Sequence, residues 1–189
     1  MLQLSVGEKK LLNQQYLAQG ALKLPSCLAP PVLQFLNNSF NQKFVKSVFE
    51  NEERSTEFTL YDRFVAQKIH VIFNAPDCLK DFSELIGTEI KLARYRLFWN
   101  DSTCRELDWH DDSYENDGRV AGIRYELSSL PYQGGAFEFE DKKKEMIVSY
   151  SGLALGEAVL FKVEPQRYFH RVSKMIEGKR QSLVLFLCL

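Results

Sequence analysis

The chain has 189 residues, of which 45% are hydrophobic and 26% charged, and its formal net charge is −1. These values predict one ordinary globular domain over residues 1–189, long enough to bury a substantial core. The near-neutral charge gives no broad attraction to nucleic acid or to an anionic membrane surface. The longest apolar run, residues 183–189, is too short to cross a bilayer, so we expect neither a nucleic-acid partner nor a membrane.

The four cysteines are scattered along the chain, and no two of them form a C-x-x-C pair. A zinc site or a disulfide framework would need closer clustering than this. The N-terminal residues do not show the pattern of a secretory leader. The sequence therefore predicts reduced thiols and a cytoplasmic protein.

Residues 1–88 are predicted to form a helical support region. Apolar positions at helical spacing predict a helix over Val6–Gln19, with Gly20 at its end. A short strand over 21–25 and a second helix, which begins at Ala29-Pro-Pro, follow. The remaining predictions are loop or short helix for 42–55, strand for 57–62, helix or strand for 63–73, and helix for 76–86.

From residue 89 onward the apolar period changes to two, which is typical of strands. Turn sequences such as Asn116-Asp-Gly, Gln133-Gly-Gly and Glu177-Gly separate the apolar runs. About eight short strands with regular turns predict a two-sheet sandwich or jelly roll, a mainly β fold with helices on its N-terminal side. The predicted strands are 90–99, 106–110, 120–127, 136–140, 146–150, 158–162, 169–174 and 182–189.

Two of the three histidines stand in a pattern with a carboxylate: His110, one residue, Asp112, and later His170. On an extended segment His110 and Asp112 leave the same face, and a distant strand adds the third side chain. Two imidazoles and one carboxylate hold ferrous iron on one face and leave the other face open to a chelating cosubstrate and dioxygen. Such a pattern also arises by chance on surface turns. The remaining histidine, His70, has no carboxylate at a useful spacing and is predicted to lie outside the site.

Arg180 and Ser182 follow His170 and have the same parity on the last predicted strand. If the strands of His170 and Arg180 are antiparallel neighbours joined around Glu177-Gly178, the guanidinium points into the same interior as the metal. A guanidinium binds a carboxylate bidentately, and a serine hydroxyl can donate a further hydrogen bond. An arginine at a strand start can also be a plain surface charge. An inward Arg180, however, requires an anion, because a buried unpaired charge is costly, and the pattern then predicts a site for a small dianion beside the metal.

Several segments together resemble the iron(II)- and 2-oxoglutarate-dependent dioxygenases, most of all their prolyl-hydroxylase-like and phytanoyl-type branches. The resemblance runs from about Tyr16 to Leu189 and is patchy between 42 and 89. It implies a double-stranded β-helix, the cupin-like jelly roll, with residues 89–189 as its core. The segments that carry it are Trp109-His-Asp-Asp, Gly134-Gly-Ala-Phe-Glu-Phe, Phe169-His-Arg-Val and Gly178-Lys-Arg-Gln-Ser.

The resemblance implies roles for the residues of the first pattern. His110, Asp112 and His170 match the iron ligands of the family. In its halogenase branch the position of Asp112 is glycine or alanine, which frees a site for chloride. The carboxylate at Asp112 therefore implies hydroxylation or desaturation and argues against halogenation.

The resemblance also implies a cosubstrate site. Arg180 matches the residue that pairs with the distal carboxylate of 2-oxoglutarate, and Ser182 matches the serine of the family's R-x-S variant. Tyr95 resembles a tyrosine that hydrogen-bonds the same cosubstrate. Phe137 stands where the family places an apolar side chain against it.

The implied cofactors are Fe(II), 2-oxoglutarate and O2, with 2-oxoglutarate oxidised to succinate and carbon dioxide while a C–H bond is oxidised. We expect a small-molecule substrate, such as an amino acid or a natural-product intermediate, and Arg119, Tyr114 and Arg96 are the candidate side chains for it. A protein side chain, as in the prolyl-hydroxylase-like enzymes, is the alternative substrate. A non-catalytic cupin-like metal-binding module or sensor is the alternative of another class.

Overall fold

The computed structural model of the chain describes residues 2–40, 44–47, 57–60, 62–113 and 118–189. Within these ranges the predicted helices are confirmed, and the ambiguous segment 63–73 is a helix. The helices are α1 Val6–Gln19, α2 Pro30–Ser39, α3 Arg63–Phe73 and α4 Pro76–Ile86.

Local capping signals explain where α1 and α3 begin and end. Ser5 and Glu8 form a capping box at the start of α1, and Gly20 ends the helix in the left-handed conformation that glycine adopts without strain. The Asp62 side chain accepts hydrogen bonds from the Phe64 and Val65 amides and so fixes the start of α3. The buried residues of α3 recur at four-residue spacing, which one face of a helix provides and a strand does not: Val65, Ile69 and Phe73.

The strands agree with the predicted runs, apart from shifts of a few residues at their ends and three additions. The additions are β2 within the segment predicted as loop or short helix, and the short strands β7 and β12; the rest of that segment lies outside the described residues. The strands are β1 Ala21–Leu24, β2 Phe44–Ser47, β3 Glu57–Leu60, β4 Leu92–Asp101, β5 Leu107–His110, β6 Arg119–Glu126, β7 Gln133–Gly134, β8 Phe137–Asp141, β9 Met146–Tyr150, β10 Ala158–Lys162, β11 Tyr168–Val172, β12 Met175–Glu177 and β13 Lys179–Cys188.

Two larger sheets and one short two-stranded sheet make up the β structure of the described residues. The seven-stranded sheet has the order β1-β10-β6-β13-β4-β3-β2, the four-stranded sheet the order β5-β11-β8-β9, and β12 pairs with β7. The pairings are antiparallel. This arrangement confirms the predicted mainly β jelly roll with N-terminal helices.

The two faces of the seven-stranded sheet bury different sets of side chains. Leu183, Leu185 and Leu187 of β13 belong to the core that the sheet shares with the helices. The alternate residues of β13 point the other way, because side chains alternate along a strand. They face the four-stranded sheet, and among them Arg180 and Ser182 are buried. The interior between the sheets is therefore where a site can form.

One expectation about topology is wrong. The strands of His170 and Arg180 are not neighbours: β11 lies in the four-stranded sheet and β13 in the seven-stranded sheet. The segment between β11 and β13 contains β12, which pairs with β7 and with neither of the two larger sheets. Arg180 therefore faces His170 across the interior of the roll instead of standing beside it.

Within the described residues, the helices are too short or too polar to cross a membrane. The four cysteines all lie in this part of the chain and form no disulfide.

Asp141 joins β8 to the start of β11, and we predict that its charge contributes to stability. Its side chain is fully buried and accepts hydrogen bonds from the Lys143 amide at 3.0 Å and from Arg167 at 3.4 and 3.5 Å. Burial alone would raise the pKa of Asp141, but these partners lower it below the ordinary value of 3.8. Asp141→Asn keeps the shape and removes the charge, so we expect a loss of about 1–3 kcal/mol at pH 7.

The sign of the pH dependence follows from the lowered pKa. The stabilisation by Asp141 is complete above pH 3.8 and is lost as the pH falls through the folded-state pKa below it. Urea denaturation of wild type and Asp141→Asn at several pH values measures this. The difference in the free energy of unfolding should shrink in acid, and a difference independent of pH would contradict the assignment.

Candidate metal centre and anion pocket

Three side chains predicted as metal ligands meet at one point of the roll. His110 ends β5 and lies opposite His170 of β11 in the strand register, while Asp112 lies just beyond the end of β5. The Asp112 carboxylate is 3.8 Å from His110 Nε2 through Oδ1 and 3.3 Å from His170 Nε2 through Oδ2. One ligand atom from each residue lies within 4.8 Å of the others. The three side chains can therefore share one ion.

Backbone and side-chain contacts set the orientation of these groups. His110 Nδ1 lies 2.7 Å from the Asp108 carbonyl oxygen, so Nδ1 carries the proton and Nε2 offers its lone pair to the site. The neighbouring residue Asp111 points away, as its parity predicts. Its carboxylate accepts hydrogen bonds from Ser113 and, at 3.2 Å, from the Gln166 amide. Asp111 thereby ties the end of β5 to the turn that leads into β11.

The Asp112 carboxylate is charged in this setting. Its burial alone would raise the pKa, but the hydrogen bond with His170 and the nearby His110 and Arg119 lower it below the ordinary value. An anionic oxygen together with two imidazole nitrogens is a donor set that suits a divalent metal such as ferrous iron.

Aromatic rings form the wall behind His170. The Phe137 ring stacks on the imidazole with centroids 5.2 Å apart, and the Phe161 ring lies 4.8 Å from it. Phe161 comes from the opposite sheet and contacts the backbone of Gly122, where a Cβ atom would lie 2.1 Å from the ring. Glycine at 122 thus makes the space that Phe161 needs to reach His170. Phe137, predicted to lie near the cosubstrate, is placed beside the metal ligand.

Gly122→Ala is expected to weaken both the fold and the metal centre. The added methyl group must push Phe161 out of a place where Phe137 and His170 already hold the ring. Overpacking of this kind costs about 1–3 kcal/mol. Chemical denaturation measures the loss, and Mn(II) titration should show weaker binding than in wild type. Unchanged stability and metal affinity would show that the contact between Phe161 and residue 122 is not tight.

Arg180 of β13 is buried, with 2% of its surface exposed. It donates to the Gly135 carbonyl oxygen of the β7–β8 loop and, at 3.0 Å, to Asn100 Oδ1 on the neighbouring β4. Its Nε has no hydrogen-bond partner among the described residues. Burial, and then the charge of Arg124, lower the pKa of Arg180 to about 9, and the charge of Glu126 opposes this shift only in part. A carboxylate ligand would accept a hydrogen bond from Arg180 Nε and would complete the compensation of its charge.

Sequence reasoning chose Tyr95 on β4 and missed Asn100. The Tyr95 hydroxyl donates to the Ala66 carbonyl oxygen of α3, so this side chain lies on the helical face of the sheet, away from Arg180. Asn100 pairs directly with Arg180 in the strand register and is buried beside it. Tyr95 and Asn100 point to opposite faces of the sheet, because side chains alternate along β4. This alternation identifies Asn100 as the residue beside Arg180 once the register between β4 and β13 is known.

The predicted substrate-binding residues lie near the metal ligands where the structure describes them. Arg119 donates to the Asp112 carbonyl oxygen at 3.5 Å, and its guanidinium lies 4.1 Å from the Phe186 ring centre. Arg96 lies 5.7 Å from the same ring. These contacts place two cations around one interior phenylalanine next to Asp112. Tyr114 lies outside the described residues.

Solved structures share this fold. An oxidoreductase of the 2OG-Fe(II) oxygenase family from Burkholderia pseudomallei has a TM-score of 0.70 at 16% identity, over 95% of this chain and 90% of that chain. A prolyl hydroxylase from Trichoplax adhaerens, in complex with a hypoxia inducible factor peptide fragment, has a TM-score of 0.73 at 15% identity, over 97% of this chain and 90% of that one. The non-heme alpha ketoglutarate dependent epimerase SnoN from nogalamycin biosynthesis has a TM-score of 0.68 at 14% identity, over 97% of this chain and 84% of that chain.

No protein-family model and no curated protein sequence matches the chain. The likeness is therefore one of fold, and it establishes the jelly roll of the 2-oxoglutarate- and iron-dependent oxygenases for this chain.

Proposed function

We propose that the protein is an iron(II)- and 2-oxoglutarate-dependent oxygenase. One observation carries the proposal: His110, Asp112 and His170 offer ligand atoms within 4.8 Å of one another inside a roll that also buries Arg180, whose Nε has no hydrogen-bond partner among the described residues. The fold likeness supports it, because solved structures with this fold include oxygenases of that kind.

The residues present fit the implied cofactors. His110, Asp112 and His170 would hold Fe(II), since two imidazoles and a carboxylate on one side are the ligands of non-haem ferrous oxygenases. Arg180 would hold the distal carboxylate of 2-oxoglutarate, with the Ser182 hydroxyl as a second donor. When bound, the metal supplies the reduction of dioxygen that couples conversion of 2-oxoglutarate to succinate with oxidation of a C–H bond.

The chain's own residues prepare the site for this chemistry. The contact between His110 Nδ1 and the Asp108 carbonyl keeps the metal-binding nitrogen unprotonated at Nε2. Phe137 and Phe161 cover one side of His170 and exclude water there. The hydrogen bond from the Gln166 amide to Asp111 links the end of β5 to the turn before β11. Such a site is organised before its ligands arrive, which reduces the cost of ordering them.

The arrangement of arginines supports a small anionic molecule as the substrate. Arg96 and Arg119 flank Phe186, and Arg119 contacts the backbone of Asp112, so two guanidinium groups lie near a metal ligand. A carboxylate or phosphate on a small substrate would pair with them. Among proteins with this fold are both a prolyl hydroxylase bound to a peptide and an epimerase from nogalamycin biosynthesis, so the fold suits either class. A mass-spectrometric screen of amino acids, peptides and cell extract, scored for a gain of one oxygen or a loss of two hydrogens, distinguishes them.

The proposed function is tested by 2-oxoglutarate binding and turnover. Purified protein with Fe(II) under air should release succinate from 2-oxoglutarate. Removal of the metal with a chelator should stop the release of succinate. Protein with Mn(II) in place of Fe(II) should bind 2-oxoglutarate in calorimetry. Metal binding without any 2-oxoglutarate binding would indicate a non-catalytic metal-binding module and would contradict the proposal.

A further inference from the structure

The interior of the roll buries a second arginine, Arg124, for which the proposed function has no role so far. Resting on that function, we propose that Arg124 is a second guanidinium of the cosubstrate pocket. In this arrangement it binds the distal carboxylate of 2-oxoglutarate together with Arg180 and Ser182. It thereby makes the pocket selective for a 2-oxo acid with two carboxylates.

The strand register places Arg124 in the same interior as Arg180. β6 and β13 are neighbours, with Ser182 opposite Glu126 and Val184 opposite Arg124. Directly paired residues of antiparallel strands project from the same face of the sheet. Arg124 therefore points to the side of Arg180 and Ser182, between the sheets.

Arg124 is held there with few partners. Its surface is 6% exposed, and its one hydrogen bond among the described residues runs from Nη2 to Ser182 Oγ at 3.3 Å. A guanidinium has five N–H donors, so most of its donor capacity faces the interior without a protein acceptor. Burial lowers the pKa of Arg124, and the charge of Glu126 only partly opposes this.

Glu126 compensates the two buried arginines only in part, because its charge raises the pKa of each while burial lowers the pKa further. Its side chain is 2% exposed, and its oxygens accept hydrogen bonds from the Ser128 amide at 2.9 Å and the Tyr132 hydroxyl at 2.7 Å. Burial and the charge of Glu126 raise the pKa of Tyr132, so the phenol stays protonated and remains a donor to that carboxylate. The cluster therefore contains two buried cations and one buried anion, and a ligand carboxylate restores its balance.

The hydrogen-bond directions favour one location for that carboxylate. The Arg124 N–H occupies a lone pair of Ser182 Oγ, which leaves the hydroxyl proton of Ser182 to donate elsewhere. Arg180 Nε lacks an acceptor on the same face. A carboxylate next to Ser182 would accept from both arginines and from the hydroxyl. A 2-oxo acid without a distal carboxylate would leave all these donors unsatisfied.

Equilibrium binding of two cosubstrate analogues tests the inference without turnover. Mn(II)-loaded protein is titrated with 2-oxoglutarate and with 2-oxobutyrate, which lacks the distal carboxylate. Arg124→Met should weaken 2-oxoglutarate binding about 10- to 100-fold, the loss of a charged hydrogen bond, and leave 2-oxobutyrate binding unchanged. Arg124→Lys, which keeps the charge, should recover part of the affinity. The matched control is Arg63→Met on the exposed first turn of α3, which should change neither value.

Each outcome has a distinct meaning. If Arg124→Met weakens both ligands equally, Arg124 only supports the fold, and the inference is wrong. If it leaves 2-oxoglutarate binding unchanged, the inference is wrong while the proposed function stands. If wild-type protein with metal binds no 2-oxoglutarate, the proposed function itself fails. Arg124→Met is expected to fold, because an apolar side chain of similar length removes one of two buried cations that share a single buried carboxylate. Should it not fold, Arg124→Gln gives the same comparison.

Discussion

Asp112→Ala is expected to abolish both metal binding and 2-oxoglutarate turnover. Asp112 is the anionic member of the ligand set and lies within 3.8 Å of His110 Nε2 and 3.3 Å of His170 Nε2. Without it, two neutral imidazoles must hold a divalent cation with no compensating charge. Loss of outer partners of metal ligands already costs about 10- to 100-fold in affinity, so loss of this ligand should cost more than 100-fold. Calorimetric titration with Mn(II) and succinate release with Fe(II) measure the two effects.

Asp108→Ala is the matched control for this prediction. Asp108 stands as far before His110 as Asp112 stands after it, its side chain is exposed, and its backbone carbonyl contacts His110. The control should bind metal and turn over 2-oxoglutarate as the wild type does. If Asp112→Ala bound metal with wild-type affinity, the ion would have to lie at other residues, and the ligand assignment would be wrong.

Arg180→Met is expected to produce the largest loss in cosubstrate affinity. Removing one partner of a buried, hydrogen-bonded charge pair costs about 2–5 kcal/mol, so the Kd of 2-oxoglutarate should rise about 30- to several thousand-fold. Arg180 does not contact the metal ligands in the described hydrogen-bond network, so Mn(II) affinity should stay at the wild-type level. Calorimetry of each ligand in turn separates the two affinities.

Lys179→Met is the control next to it on β13. Lys179 is exposed, with its ammonium group 4.7 Å from the Trp99 ring centre, and points away from the interior. The Lys179→Met substitution should leave the affinities for Mn(II) and for 2-oxoglutarate unchanged. A 2-oxoglutarate affinity that survives Arg180→Met would contradict the anion pocket, and an equal loss of metal affinity would indicate a general loss of folding.

Much of the helical region was predictable because its signals are local. A capping box at Ser5 and a left-handed Gly20 mark the ends of α1, and these depend on only a few neighbouring residues. The segment 63–73 stayed ambiguous because its apolar residues suit either period. The segment is a helix because the Asp62 side chain caps its N-terminus and because the face with Val65, Ile69 and Phe73 is buried in the core.

The site was only partly predictable, because its remaining features depend on long-range pairing. The residue types and spacing of the triad pointed to a metal before any fold was known. Which sheet carries β11 and which carries β13 is a property of the whole topology, and local sequence does not contain it. Asn100 and Tyr95 differ in parity on one strand, so only the register with β13 shows which of them reaches Arg180.

The most direct test of the account is a crystal structure of the protein with Mn(II) and 2-oxoglutarate, using anomalous scattering to locate the metal. We expect one peak about 2.0–2.3 Å from a nitrogen of His110, a nitrogen of His170 and an oxygen of Asp112. The 2-oxo group should lie on the metal, and the far carboxylate should lie against Arg180. A metal bound at other residues, or a cosubstrate outside the roll, would contradict the account.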